Sequence, residues 1–466
     1  MKQSLRTFAL VAIVVFILLM MHQLPTLKVG GTELRHVNIL SQILPPIEER
    51  QVDVVPAAMP PKPLAALDSR GRKINFKERW RKGVEPIVDF SGGKAGGMDH
   101  FYAMLDSAEQ LDRPVRIAYF GDSYIEGDIM TADLREMLQE KFGGSGVGWL
   151  DAGSSINVRS RRSITQKISG FTEHVVVKKP FDEAREGIAE KYYDVGEGAW
   201  LSLSESRFYR HTKQWTSAKL FLRTPSSVTV EATTSDGRRQ TRVFSSSPSV
   251  QMWNLTGNMS GVDYRFSRVG SGTLVYGVAL ESDEGVVLDN FSMRGSSGIT
   301  LAKMPAGMLE DFRRHRPYDL IILQFGLNDA VAGNTLPILE LYMGKLKKAV
   351  SHLKECFPEA SILIASVPDR DQRTSDGIQT VPEVKNLVRL QEKLAADCHV
   401  AYLNFWRAMG GQNSVKALVD RDMATKDYTH LSFGGGAVVA RRVYPSFLGG
   451  LDNYLRRRKM EKEAAE

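Results

Sequence analysis

Four signatures of familiar chemistries are missing from this chain of 466 residues. There is no G-x-x-x-x-G-K-[ST] phosphate loop, no G-x-G-x-x-G turn, no H-E-x-x-H zinc helix and no G-x-S-x-G nucleophile elbow. Cofactor use and zinc chemistry therefore lack sequence support, and neither a cofactor nor a metal is expected. Tandem repeats are also absent. So is a clustered basic surface, because the net charge of +7 comes from 61 lysines and arginines set against 54 acidic residues scattered along the chain. The one dense run, "LRRRKMEKEAAE" at the C-terminus, reads as a solvated helix end. With no RNA- or DNA-binding motif, no nucleic-acid partner is expected. A mildly basic chain instead suits an acidic polymer or a membrane surface.

Cysteine is scarce, with two residues, Cys356 and Cys398. Both are compatible with an oxidising compartment. Each precedes an expected strand, "ASILIASVP" and "HVAYLNFW". If those strands are neighbours, the cysteines share one sheet edge within reach of a disulfide; two free thiols are the other reading. Long apolar runs are also few. "MKQSLRTFALVAIVVFILLMMHQ" places Lys2 and Arg6 before an uncharged stretch from Thr7 to Met21, with no small-residue cleavage signal after it. Residues 1–23 read as an uncleaved membrane anchor, with a cleaved signal peptide as the alternative. The flanking cations then place the rest outside the cytoplasm. Residues 24–95 are rich in proline and weakly patterned, as in an extended spacer.

What is present is an alternation of short apolar runs with amphipathic stretches. "VRIAYF", "YDLIILQFG", "ASILIASVP" and "HVAYLNFW" each precede a helical pattern. Such alternation predicts an α/β fold, a parallel sheet with helices on both faces, over 96–151 and 285–455. Thr131 is the expected N-cap of the first long helix. Residues 152–284 break the pattern with short alternating runs and frequent turns, as expected for an inserted all-β sandwich. A charged tail, 456–466, closes the chain.

Four polar clusters follow expected strands: Gly121-Asp122-Ser123, "MRGSSGIT", "FGLND" and "KDYTHLSFGGG". The ends that follow the strands of a parallel sheet share one edge, where ligands bind in open α/β folds. Acyl transfer needs a nucleophile, a base, a group that orients the base and donors for the oxyanion. Ser123 can attack and His430 can act as base. Asp427, three residues earlier, faces the same side of a helical turn and can hold the imidazole tautomer. Asn328 offers a side-chain NH2, and Gly298 a backbone N–H unobstructed by a Cβ. Asp122 reads as structural, holding the serine turn through backbone N–H groups, and Asp329 does likewise for the third cluster. Arg370 and Arg373, on the loop after a core strand, are candidate substrate contacts, with a solvated loop as the plainer reading. In the insert, Trp200, Trp215 and Trp253 are candidates for stacking on sugars or for core packing.

In this order the four clusters resemble the SGNH/GDSL hydrolase superfamily, over about residues 98 to 450. The resemblance implies the three-layer SGNH fold, with Ser123, Asp427 and His430 as triad. It places the oxyanion hole at the Ser123 N–H, Gly298 and Asn328. Within the superfamily the chain looks like the peptidoglycan O-acetylesterases, which carry a carbohydrate-binding-like β-sandwich between the first and second clusters. The expectation is a serine esterase removing O-acetyl groups from a cell-wall or extracellular glycan. The alternatives are an O-acyltransferase fed by a membrane acyl-donor partner, and a non-catalytic glycan-binding protein.

Overall fold

The computed structural model describes residues 72–464, with isolated positions before residue 72. The expected anchor, residues 1–23, and most of the expected spacer lie outside the described residues. Among those described, no helix is long and apolar enough to cross a membrane. The chain divides into a body, residues 52–372 with 380–466, and a second unit, residues 1–51 with 373–379.

The α/β part of the body begins with β1 (Ile87–Asp89) and α1 (Asp99–Asp106), then β2 (Val115–Gly121) and α2 (Thr131–Phe142). All seven residues of β2 are buried, as expected for a strand covered on both faces. Met130, with φ 69°, occupies the N-cap position expected for Thr131. The Thr131 hydroxyl instead donates to Asp128 at 2.7 Å.

The chain then leaves for an antiparallel region. Its strands are β3 (Gly148–Asp151), β4 (Thr165–Val175), β5 (Lys191–Ser204), β6 (Trp215–Arg223), β7 (Val228–Thr234), β8 (Arg239–Phe244), β9 (Gln251–Met259), β10 (Gly261–Ser267) and β11 (Leu274–Glu281). These nine form one curled sheet, ordered β8-β7-β10-β5-β11-β6-β9, with β3 paired to β11 and β4 to β5. A sandwich of two separate sheets was expected. The physical difference is β5, whose 14 residues run from the β11 side, at Tyr193 and Asp194, to the β10 side, at Trp200 to Ser204. A strand that long carries the hydrogen bonding continuously around a second apolar core. Because β3 pairs with β11, residues 148–151 belong to this sheet rather than to the α/β part. Trp215 and Trp253 are buried in its core, and Trp200 is half-buried.

The α/β part resumes with β12 (Val286–Ser292), α3 (Ala306–His315), β13 (Leu320–Gln324), α4 (Leu336–Cys356), β14 (Ser361–Ala365), α5 (Pro382–Cys398), β15 (Ala401–Leu403) and α6 (Phe433–Glu463). The sheet order is β12-β2-β13-β14-β15-β1, parallel except for the antiparallel edge strand β1. Helices α1, α2 and α6 pack together, and α3, α4 and α5 form a second group. Strand β1 lies inside the stretch expected as spacer, and Arg79 N–H donates to Asn453 of α6 at 2.8 Å. The chain is therefore fastened to the body before residue 95. The expected tail, 456–466, continues α6 as far as Glu463.

Strands β14 and β15 are neighbours as the cysteine reasoning requires, yet both thiols are free. The Cys356 Sγ lies 3.9 Å from His352 on its own helix. The Lys354 ammonium donates to the Cys398 carbonyl at 3.2 Å. Cys356 closes α4 and Cys398 closes α5.

The curled sheet is fastened to the α/β part by buried charge. Arg316 donates to Glu281 of β11 at 2.6 Å and to Asp289 of β12 at 2.6 Å. Arg116 of β2 reaches Glu281 at 2.8 Å, and Lys219 of β6 does so at 2.6 Å. Despite full burial, Arg316 and Arg116 hold the Glu281 carboxyl well below the usual range. Above this cluster Trp149 sits between Phe221 and Phe291, with ring centroids 5.3 and 5.9 Å away.

Candidate functional site

The register places the serine. Gly121, at the end of β2, is level with Ser292 of β12 and Gln324 of β13. All three strands therefore release their chains at one edge. A Cβ on Gly121 would stand 2.9 Å from the tip of Ile125 and 3.2 Å from the Gln324 carbonyl, so glycine eases this close approach. Asp122 caps the 3-10 turn Ser123–Asp128, accepting the Tyr124 N–H at 2.9 Å. Burial pushes the Asp122 carboxyl up to about 7, against the pull of the Tyr124 amide and the nearby His430. Ser123 opens the turn, where the first N–H groups have no carbonyl of the same turn to bond.

The fourth cluster reaches Ser123 through a tight loop, not the helical turn expected from the spacing. Ala424 and Leu431 form an antiparallel bridge, and Thr425 N–H donates to the His430 carbonyl at 2.8 Å. Tyr428, with φ 55°, takes the left-handed conformation that closes the loop. Such strain in a non-glycine residue concentrates at functional sites. The loop brings His430 Nε2 to 3.1 Å from Ser123 Oγ and His430 Nδ1 to 2.7 Å from Asp427 Oδ2. Asp427 Oδ1 accepts from the Thr425 hydroxyl, from Thr429 N–H at 2.9 Å and from His430 N–H at 3.1 Å. These bonds outweigh its partial burial and hold the carboxyl down at about 2. An ionised Asp427 can only accept, so Nδ1 carries the proton and Nε2 presents a lone pair to Ser123. In this arrangement the Ser123 proton can pass to Nε2 while Asp427 stabilises the imidazolium.

The second and third clusters meet at Ser296. Asn328 Nδ2 donates to the Ser296 carbonyl at 2.9 Å, and Gly298 N–H donates to Ser296 Oγ at 3.0 Å. The Gly298 amide, expected to face an oxyanion freely, is thus engaged by a side chain. Gly298 has φ 76°, and a Cβ there would lie 2.5 Å from the Phe325 ring, so glycine is required on two counts. Nothing in "SSG" distinguished Ser296 from Ser297, and sequence reasoning passed over both. Burial pushes Asp329 up to about 6, eased by a hydrogen bond from Ser297.

Arg370 is brought to the site, where one guanidinium nitrogen bonds to backbone. It donates to the Leu327 carbonyl at 3.1 Å and to Ala330 at 3.4 Å. The next residue, Asp371, donates its N–H to the Tyr428 carbonyl at 3.0 Å. The segment therefore ties the Asn328 loop to the His430 loop. Arg373 lies exposed on the hairpin that pairs Asp371–Thr374 with Gly377–Thr380.

Ser123, His430 and Asp427 thus stand in hydrogen-bond series at the strand edge, the arrangement that acyl transfer through a serine requires. Residues 261–435 match the family described as GDSL-like Lipase/Acylhydrolase, a span that holds Gly298, Asn328, Asp427 and His430 but not Ser123. Among solved structures the chain is similar to a peptidoglycan O-acetylesterase, at 19% identity and TM-score 0.61, over 78% of this chain and 99% of that one. A family two carbohydrate esterase from Cellvibrio japonicus matches at 12% identity and TM-score 0.26, over 66% of this chain and 98% of that one. The salicylyl-acyltransferase SsfX3 matches at 13% and 0.26, over 60% and 96%. No curated protein matches the chain by sequence.

Proposed function

We propose that the protein is a serine esterase that removes O-acetyl groups from a cell-wall or extracellular glycan. The observation that carries this reading is the continuous hydrogen-bonded path from Ser123 through His430 to Asp427. Ser123 Oγ attacks the ester carbonyl as its proton passes to His430. The tetrahedral oxyanion is met by the Ser123 N–H and the Asn328 side-chain N–H, with the Gly298 amide held in position by Ser296 and shared with the oxyanion. His430 then protonates the departing sugar oxygen, and water, deprotonated by the same imidazole, releases acetate from the acyl-enzyme.

Water is favoured over a sugar as the final acceptor because His430 and Asp427 remain 41% and 50% exposed. Transfer to another acceptor requires water to be excluded. Peptidoglycan is the glycan proposed first, in line with the O-acetylesterase whose fold is shared. An N-terminal anchor holding the enzyme in the envelope, outside the cytoplasm, completes the proposal. The test is acetate release from O-acetylated peptidoglycan and hydrolysis of p-nitrophenyl acetate, each compared with Ser123→Ala. Turnover abolished by that change is expected. Acetyl transfer to an oligosaccharide without hydrolysis would assign the transferase activity instead, and turnover surviving in Ser123→Ala would remove the serine from the mechanism.

A further inference from the structure

The loop between β5 and β6, residues 205–214, reaches from the curled sheet to α2. The Tyr209 hydroxyl donates to Asp133 at 3.1 Å, and the Arg210 and His211 amides donate to Glu136 at 2.9 and 3.2 Å. Arg210 and His211 also pair with Glu140. The acidic groups of α2 that meet the loop are thus taken up locally. Just before them, Arg207 and Phe208 are exposed, Phe208 at 52%. The Ser206 hydroxyl donates to the carbonyl of Arg162, another exposed residue.

The Arg162 guanidinium stands 5.3 Å from the Phe208 ring centroid and 3.9 Å from that of Phe433. The Arg207 guanidinium lies 5.4 Å from the Phe208 ring. Neither arginine forms an ion pair with a carboxylate among the described residues. Phe433 opens α6 three residues after His430, so the patch lies close along the chain to the catalytic loop.

We propose that Arg162, Arg207, Phe208 and Phe433 form a platform for a carboxylate-bearing sugar unit of the substrate glycan. The proposal rests on the glycan-esterase reading and specifies its substrate as anionic. An exposed aromatic ring takes the C–H face of a sugar, and a guanidinium takes a carboxylate through paired N–H donors. Two guanidiniums already resting against aromatic rings are pre-organised, so ordering them on binding costs less. Their missing counter-charge is what an anionic ligand supplies.

The test is titration of a polyuronate oligosaccharide, and of the same oligosaccharide with its carboxyls reduced, into the full chain. Arg207→Gln and Phe208→Ala are compared with Arg239→Gln, an exposed arginine of edge strand β8 that controls for net charge. The unsubstituted chain is expected to bind the polyuronate about tenfold more tightly than the reduced form. Arg207→Gln and Phe208→Ala each lose most of that preference, while Arg239→Gln keeps it. Equal affinity for the two oligosaccharides, or an equal loss in Arg239→Gln, overturns the platform. Both tested side chains are exposed, and Phe208→Ala leaves the charge unchanged, so misfolding and bulk electrostatics are separated from the site. Binding needs no turnover. A chain that binds but releases no acetate contradicts the esterase reading alone, and one that hydrolyses esters without carboxylate preference contradicts the platform alone.

Discussion

Ser296 accepts the Gly298 N–H on its side-chain oxygen at 3.0 Å and the Asn328 side-chain N–H on its carbonyl at 2.9 Å. One buried residue thus joins the two segments expected to supply oxyanion donors. Donors held in place before the reaction stabilise developing charge without a reorganisation cost. Ser296→Ala keeps the carbonyl and loses the hydroxyl, leaving the Gly298 amide without its partner. The expected result is a fall in kcat of about tenfold with little change in KM, restored in part by Ser296→Thr. Steady-state kinetics on p-nitrophenyl acetate measure it. A raised kcat would mean that the hydroxyl competes with the oxyanion.

Asp427 holds the Nδ1 proton of His430. Asn in its place can present an N–H to Nδ1 and favour the wrong tautomer. Asp427→Asn is expected to lower kcat by about 10³- to 10⁴-fold. Substrate binding should change little, so the loss appears in kcat. Thr425→Val, which removes one donor to Asp427 Oδ1, should have a smaller effect in the same direction.

Two acids in the insert bear on stability against pH. Burial, with Glu190 and Glu183 nearby, pushes Glu186 up to about 8. Burial also raises Glu190 to about 7, despite its hydrogen bond from Thr300. The folded state holds these protons more tightly than the unfolded chain, whose glutamates titrate near 4.5. Their contribution is therefore fully present below pH 4.5 and is lost as pH rises through 7 and 8. The melting temperature should fall across that window, and Glu186→Gln should flatten the fall. An unchanged slope in the variant would assign the pH dependence to other groups.

The buried cluster around Glu281 joins the curled sheet to the α/β part. Glu281→Gln removes the anion and leaves the buried Arg116 and the half-buried Lys219 without it. Breaking a buried ion cluster in this way is expected to cost about 3 kcal/mol. Urea unfolding followed by fluorescence checks this, through the midpoint at constant slope.

The sequence alone determined the alternation of strands and helices and the order of the four clusters. Buried parallel strands such as "YDLIILQ" are written as continuous apolar runs, and their helices carry a local period. Ser123, Asn328, Asp427 and His430 were legible because acyl transfer requires those side-chain types, each after an expected strand. Their contacts were not legible, because a local pattern carries no register between distant segments. Four outcomes were decided by the tertiary structure. The Asp427–His430 spacing became a closed loop because Tyr428 adopts a left-handed conformation and the Ala424–Leu431 bridge seals it. The cysteines stayed unpaired, because strand adjacency alone does not fix where a side chain points. The Gly298 amide met Ser296 Oγ, and Arg370 became a brace between two loops. The physical reason is common to all four: residue type supplies a chemistry, and only the packed backbone decides which partner it meets.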